Sequence, residues 1–180
     1  MNIKLGTHQK GLAVLDILTA LGIIIVLVSV IFAIGGFASS QTNLVKVSIW
    51  HAQLIESIQN AYKPQNNCAG ISATRVAQLN AAPSDMIQGT DVVDGWGSSM
   101  TIAAATTTVT NDTFVATYPK VAAEDCSVFA TSIQEKHFKI SVAGNVVKDL
   151  SAGTTFNVGT LAQACAGSAT KAIAASTRCR

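Results

Sequence analysis

The chain has 180 residues, a formal charge of +2 and 49% hydrophobic residues, with a mean hydropathy of +0.39. That length suffices for one domain plus an anchor, and a nearly neutral chain without a basic cluster excludes an electrostatic nucleic-acid binder. The apolar excess lies in residues 12–38; beyond them the chain is Ala-, Thr- and Ser-rich with few charges, more like a secreted domain than a cytosolic enzyme.

From Ile17 to Ala38 no residue is charged, a run long enough for a helix spanning the roughly 30 Å of a bilayer interior. Lys4, His8 and Lys10 precede the oily stretch 12–38 and no acidic residue does. The positive-inside rule then keeps the N-terminus cytoplasmic and sends residues 40–180 across the membrane. The run is longer than the apolar segment of a secretory signal peptide, although "AIGGFASS" offers small residues for a cut. Asp16 stands at the edge of this run, where an unpaired carboxylate is costly, about 2.5–3.5 kcal/mol at mid-bilayer. It needs a partner, or must snorkel to the headgroups.

Gly35-Gly36 weakens helix and invites a bend, and "SSQTN" can cap a new turn. In "LVKVSIWHAQLIESIQNAYKP" the residues Val47, Trp50, Leu54, Ile58 and Ala61 recur every three or four positions, while Lys46, Gln53, Glu56 and Gln59 face elsewhere. Pro64 and "QNN" stop the pattern. Residues 12–62 thus read as one long helix, the first part oily all round and the second amphipathic.

Residues 63–97 read as a connector with a short helix in "SATRVAQLNAA", ending in the turn-rich "DGWGSS". "MTIAAATTTVT" and "TFVATYPK" form a predicted hairpin turning at Asn111-Asp112. "AAEDCSVFATSI" is a predicted helix with Cys126 in its first turn. "KHFKISVAGNVVKDL" is a second hairpin turning at Gly144-Asn145, "VGTLAQACAGS" a helix ending in Cys165, and "ATKAIAAST" a closing strand. The fold class is α+β: a long N-terminal helix against an antiparallel sheet, with small helices laid across.

Catalytic and metal-binding signatures do not occur. His8, His51 and His137 are scattered without metal-ligand spacing, and GxSxG, P-loop and GxGxxG patterns are missing from the sequence. Asp85, Asp91 and Asp94 fit no EF-hand loop and read as solvated loop carboxylates. "NDT" at Asn111 matches a glycosylation sequon by its three residues only. No enzyme activity, cofactor or metal is expected. Cys68, Cys126, Cys165 and Cys179 all fall in the exported part, where an even number reads as two disulfides with three possible connectivities.

The junction "HQKG" followed by "LAVLD" resembles the processing site of type IV pilin precursors. The resemblance implies that a prepilin peptidase cuts between Gly11 and Leu12 and methylates the new amine of Leu12. Asp16 then takes the place of the family's usual glutamate at the fifth mature position, and Leu12 that of its usual first residue. A neighbour's terminal amine can pair with Asp16 in a helical stack, where low dielectric strengthens the pair and penalises a lone partner. Asp16 would thereby set subunit register. In the exported half "GWGSSMTI", "CSVFATSI" and "LAQACAG" occur in the order found in the type IVb branch, which includes the bundle-forming and toxin-coregulated pilins. Phe129 stands loosely for that branch's leucine after the cysteine. By the same resemblance Cys126 pairs with Cys165, and Cys68 and Cys179 then form the second bridge.

The expectation is therefore a type IVb pilin precursor: residues 1–11 a removed leader, 12–38 a transmembrane and filament-core helix, 39–62 its amphipathic half, and 63–180 an α+β domain outside the inner membrane. Its partners would be copies of itself, the peptidase, the assembly machinery and, before assembly, the inner membrane; no nucleic acid is expected. Its end point would be an extracellular filament, with residues 126–165 on the outside. A minor pilin, a secretion pseudopilin or a membrane-anchored periplasmic adaptor are the alternatives.

Overall fold

The computed structural model describes residues 43–179, within one compact unit, Asn43–Arg180. Gly11, Leu12, Asp16, the oily run and Gly35-Gly36 lie outside the described residues.

The first element, α1, is helical over 43–62. Leu44, Val47, His51, Leu54, Ile55, Ile58 and Tyr62 are buried along it, a stripe at the 3.6-residue period. The face is broader than the sequence pattern implied: His51, Ile55 and Tyr62 belong to it, whereas Ala61 is exposed and Trp50 only half-buried. Gln59 does not simply face solvent; its side-chain amide donates to the carbonyl of Arg178 at 2.9 Å. A 3-10 turn, Lys63–Gln65, follows and ends at Asn66 in the left-handed conformation, φ 56°.

In the connector, α2 (Ala73–Gln78) is shorter than its sequence pattern and is capped by the Ser72 hydroxyl, which accepts from Arg75 N–H. A small hairpin follows, β1 (Ile87–Gln88) with β2 (Asp91–Val92). Strands of two residues are too short to carry an alternating signal.

The main sheet is antiparallel, with β3 (Thr101–Ala105), β4 (Thr113–Val121), β5 (Lys139–Val142), β6 (Asn145–Asp149) and β7 (Lys171–Arg178) in the order β3-β4-β7-β5-β6. The last strand enters the middle, between the two hairpins. Phe114, Ala116 and Tyr118 on β4 share one face, opposite Thr177, Ala175 and Ile173 of β7. Ala116 and Ala175 are paired and fully buried at its centre. Two side chains this short leave room for a helix to approach. Pro119 lies where the β4–β7 register shifts, past the end of β3 pairing, so its missing N–H breaks no regular rung.

Two turns differ from their sequence expectation. Strand β3 stops at Ala105 rather than running through the threonines, because Asp112 organises residues 107–109. Its carboxylate accepts from the N–H groups of Thr107, Thr108 and Val109 and from the Thr108 hydroxyl. The second hairpin turns at Ala143-Gly144, not Gly144-Asn145: Val142 pairs with Asn145, and the two residues between have φ 49° and 81°. That is the paired left-handed geometry of a two-residue hairpin turn.

Across the sheet lie α3 (Ala123–Ile133) and α4 (Val158–Cys165), the latter capped by the Asn157 side chain. The structure carries the bridges Cys126–Cys165 and Cys68–Cys179, with Cα separations of 5.7 and 5.8 Å. Cys126 sits in the first turn of α3 and Cys165 ends α4, so one bridge pins the two helices together. The other closes the connector onto the end of β7. It is seated on the β3–β4 loop, since Cys68 N–H donates to Asn111 O and Cys179 N–H to Asp112 O.

Candidate assembly surface and the site beneath it

The α3–α4 pair carries one apolar surface of this domain. A shallow groove of about 460 Å³ runs between the helices, lined by Val128, Thr131, Ser132, Val158, Leu161 and Ala162, with Ser127 at its edge. Val128 and Val158 are 50% and 68% exposed at its margins. Fixed by the Cys126–Cys165 bridge, the groove is a rigid surface suited to an apolar neighbour. On α1, Val45 and Ile49 are also exposed, at 60% and 52%.

Beneath α3 the helix α1 meets the sheet through polar as well as apolar groups. His51 of α1 places Nδ1 against the hydroxyl of Tyr118 on β4. Its Nε2 lies 2.6 Å from Nε2 of His137, in the segment between α3 and β5. His137 Nδ1 in turn faces Thr177 Oγ1 at 2.5 Å and the Ser176 carbonyl at 3.3 Å. Phe129 of α3 and Trp96 close the cluster edge-on, with ring centroids 5.1 Å apart, and Phe129 lies 4.9 Å from Tyr118. Trp96 is held by its indole N–H donating to Asp125 Oδ2 at 2.8 Å.

These histidines are not scattered, as the sequence spacing suggested; the fold joins residues 86 positions apart. The missed signal lay in the helical pattern itself, for His51 falls between Val47 and Leu54 on the buried stripe. Asp94 also departs from expectation. It is 4% exposed, Oδ1 accepting from Trp96 and Ser98 N–H in a tight turn, and burial raises its pKa. Asp85 is exposed, in a solvated pair with Lys46 at 3.7 Å. Among the described residues no group of three metal-ligating side chains is assembled. None of their helices is long and apolar enough to cross a membrane.

A helix laid on an antiparallel sheet with the last strand at its centre is a pilin-like fold, shared with solved type IV pilin structures. Among solved structures the chain is similar to TcpA, a type IV pilin from Vibrio cholerae El Tor biotype, with a TM-score of 0.60 and 17% identity over 76% of this chain and 99% of that one. It is also similar to the type IVb pilin from Salmonella typhi, with a TM-score of 0.54 and 16% identity over 77% of this chain and 99% of that one. The chain belongs to the PilS family: the PilS N-terminal family model matches residues 40–177. No curated protein matches the sequence.

Proposed function

We propose that the chain is a precursor of a structural pilin subunit, cut between Gly11 and Leu12, N-methylated at Leu12, and polymerised into a type IVb pilus. The reading rests on one conjunction: a pilin fold in a PilS-family chain preceded by "KGLAVLD", a glycine junction with an acidic residue five positions on. The leader, residues 1–11, carries Lys4 and Lys10, and losing it leaves equal numbers of basic and acidic residues. A neutral subunit lowers repulsion between copies in a filament.

In this account residues 12–38 anchor the precursor in the inner membrane, N-terminus cytoplasmic, and then form the filament core; 39–62 join that core to the domain 63–180. Asp16 receives the terminal amine of a neighbour and sets register. The α3–α4 groove faces outward or toward an adjacent subunit, so its apolar floor is covered on assembly. The subunit is structural and non-enzymatic, and its partners are its own copies, the prepilin peptidase and the assembly machinery.

Asp16→Ala in the native host tests the register role. The processed subunit should accumulate in the inner membrane while filaments disappear from sheared fractions. Filaments at wild-type yield would remove Asp16 from assembly. Gly11→Val should instead leave the chain uncut, and cutting of that variant at the same junction would contradict the proposed cleavage.

A further inference from the structure

The ring nitrogens of His51 and His137 form one hydrogen-bonded chain between the Tyr118 hydroxyl and the Thr177–Ser176 end of β7. Thr177 Oγ1, 2.5 Å from His137 Nδ1, can donate or accept, so the chain can run in either direction. In either direction a single proton lies between the two Nε2 atoms, 2.6 Å apart. With both imidazoles neutral, every ring nitrogen has a partner. Charging both rings would set two N–H groups head-on across the Nε2 contact.

The surroundings do not compensate such a charge. Lys136, in the same segment as His137, and Lys148 on β6 are the cations acting on the pair. Lys148 is turned aside to donate to the Gln134 carbonyl. On β4 the group is the Tyr118 phenol, with Asp94 acting on that phenol rather than on either imidazole. On β7, Thr177 and Ser176 are uncharged. Glu135 and Arg178 lie in a cleft of about 430 Å³ that opens at His137 and Thr177, bordered on α1 by Gln59. Among the described residues no ion pair joins a carboxylate to His51 or His137. The cleft nonetheless brings solvent to the edge of the buried pair.

We propose that His51–His137 is a latch, closed at neutral pH and opened by acid, that holds the amphipathic part of α1 and the segment after α3 against the sheet. It is a property of the folded domain and does not depend on whether the chain polymerises. Burial, more than the neighbouring lysines, depresses both imidazoles, His137 to about 4 and His51 well below its ordinary value. The latch thus stays shut through mild acidification and yields over a narrow range below it.

The test uses the full chain in detergent micelles, with histidine ring carbons labelled and the His8 signal assigned with His8→Gln. Between pH 7.5 and 3.5, ring-carbon shifts and amide exchange along residues 51–58 are followed together. The latch predicts that neither imidazole titrates near the ordinary histidine value and that both change together when the domain opens. Amide exchange over 51–58, corrected for intrinsic rate, then rises by at least about tenfold. Two independent titrations near the ordinary histidine value would overturn it, as would imidazoles that charge without any change in exchange. His137→Asn, where it folds, should lose the acid-dependent rise in exchange; retention of that rise would assign the opening to other groups. The wild-type titration decides the matter if that variant does not fold.

Discussion

A β-carbon placed on Gly95 would lie 2.0 Å from Cγ2 of Val47. The turn after β2 therefore lays bare backbone against α1, and the glycine is there for proximity. The same turn is drawn tight by Asp94 and carries Trp96 into the aromatic cluster. Gly95→Ala should destabilise the domain by about 1–3 kcal/mol, the usual cost of overpacking. Val47→Ala in the same chain should recover part of the loss. Urea unfolding of the two single variants and the double variant measures this, and strictly additive effects would show that the two sites do not touch.

Leu54 and Ile58 are fully buried where α1 meets the sheet, and Phe129 is fully buried under α3. Phe129→Ala should cost about 3–5 kcal/mol and Leu54→Ala about 2–5 kcal/mol. Neither change touches an exposed residue of the α3–α4 groove. Thermal unfolding checks the loss, and a variant within about 0.5 kcal/mol of wild type, the scatter of an ordinary surface change, would mean that the site collapses without a cavity.

The two bridges close loops of different length, with separations of 111 residues for Cys68–Cys179 and 39 for Cys126–Cys165. By lost chain entropy, removing the first should cost about 5 kcal/mol and the second about 4 kcal/mol. The larger effect belongs to the bridge seated on the Asn111-Asp112 loop. Paired Cys→Ser variants, compared by chemical unfolding, rank the two; a near-neutral Cys68→Ser/Cys179→Ser variant would contradict the clamp.

Much of this arrangement was legible in the residues. The α1 stripe, the β4 strand, α3, α4 and the closing strand follow from periodicity and from Thr- and Val-rich runs. What escaped were features made by single side chains acting at a distance. Asp112 converts a threonine-rich strand pattern into a loop, and the buried role of Asp94 depends on where α1 lies. His51 and His137 are brought together by topology, one from α1 and the other from the segment between α3 and β5. No local spacing encodes such a pair. The proposed junction at Gly11-Leu12, in contrast, rests on a purely local motif, "KGLAVLD".

Acid should act on the domain again at lower pH. The Ser151 hydroxyl and Lys139 hold Asp149 down to about 2. Burial opposes ionisation of Asp112, but the N–H groups of Thr107, Thr108 and Val109 and the Thr108 hydroxyl outweigh it and lower its pKa too. Carboxylates depressed on folding stabilise above their unfolded value and lose that contribution as pH falls through the folded one. For Asp149 the window runs from about 3.9 down to 2. Asp149→Asn should flatten this limb of a stability–pH curve, and an unchanged slope in the variant would show that its partners do not hold in solution.

The most direct test of the pilin reading is the intact mass and N-terminal sequence of the protein taken from its native host. The account predicts a chain beginning at Leu12, heavier than the bare sequence from that residue by the CH2 that one N-methylation adds and lighter by four hydrogens for two disulfides. A chain still beginning at Met1 would contradict processing and leave a membrane-anchored domain that does not assemble. A start near Ser39 would mean ordinary secretion, with the apolar helix discarded and no filament core remaining.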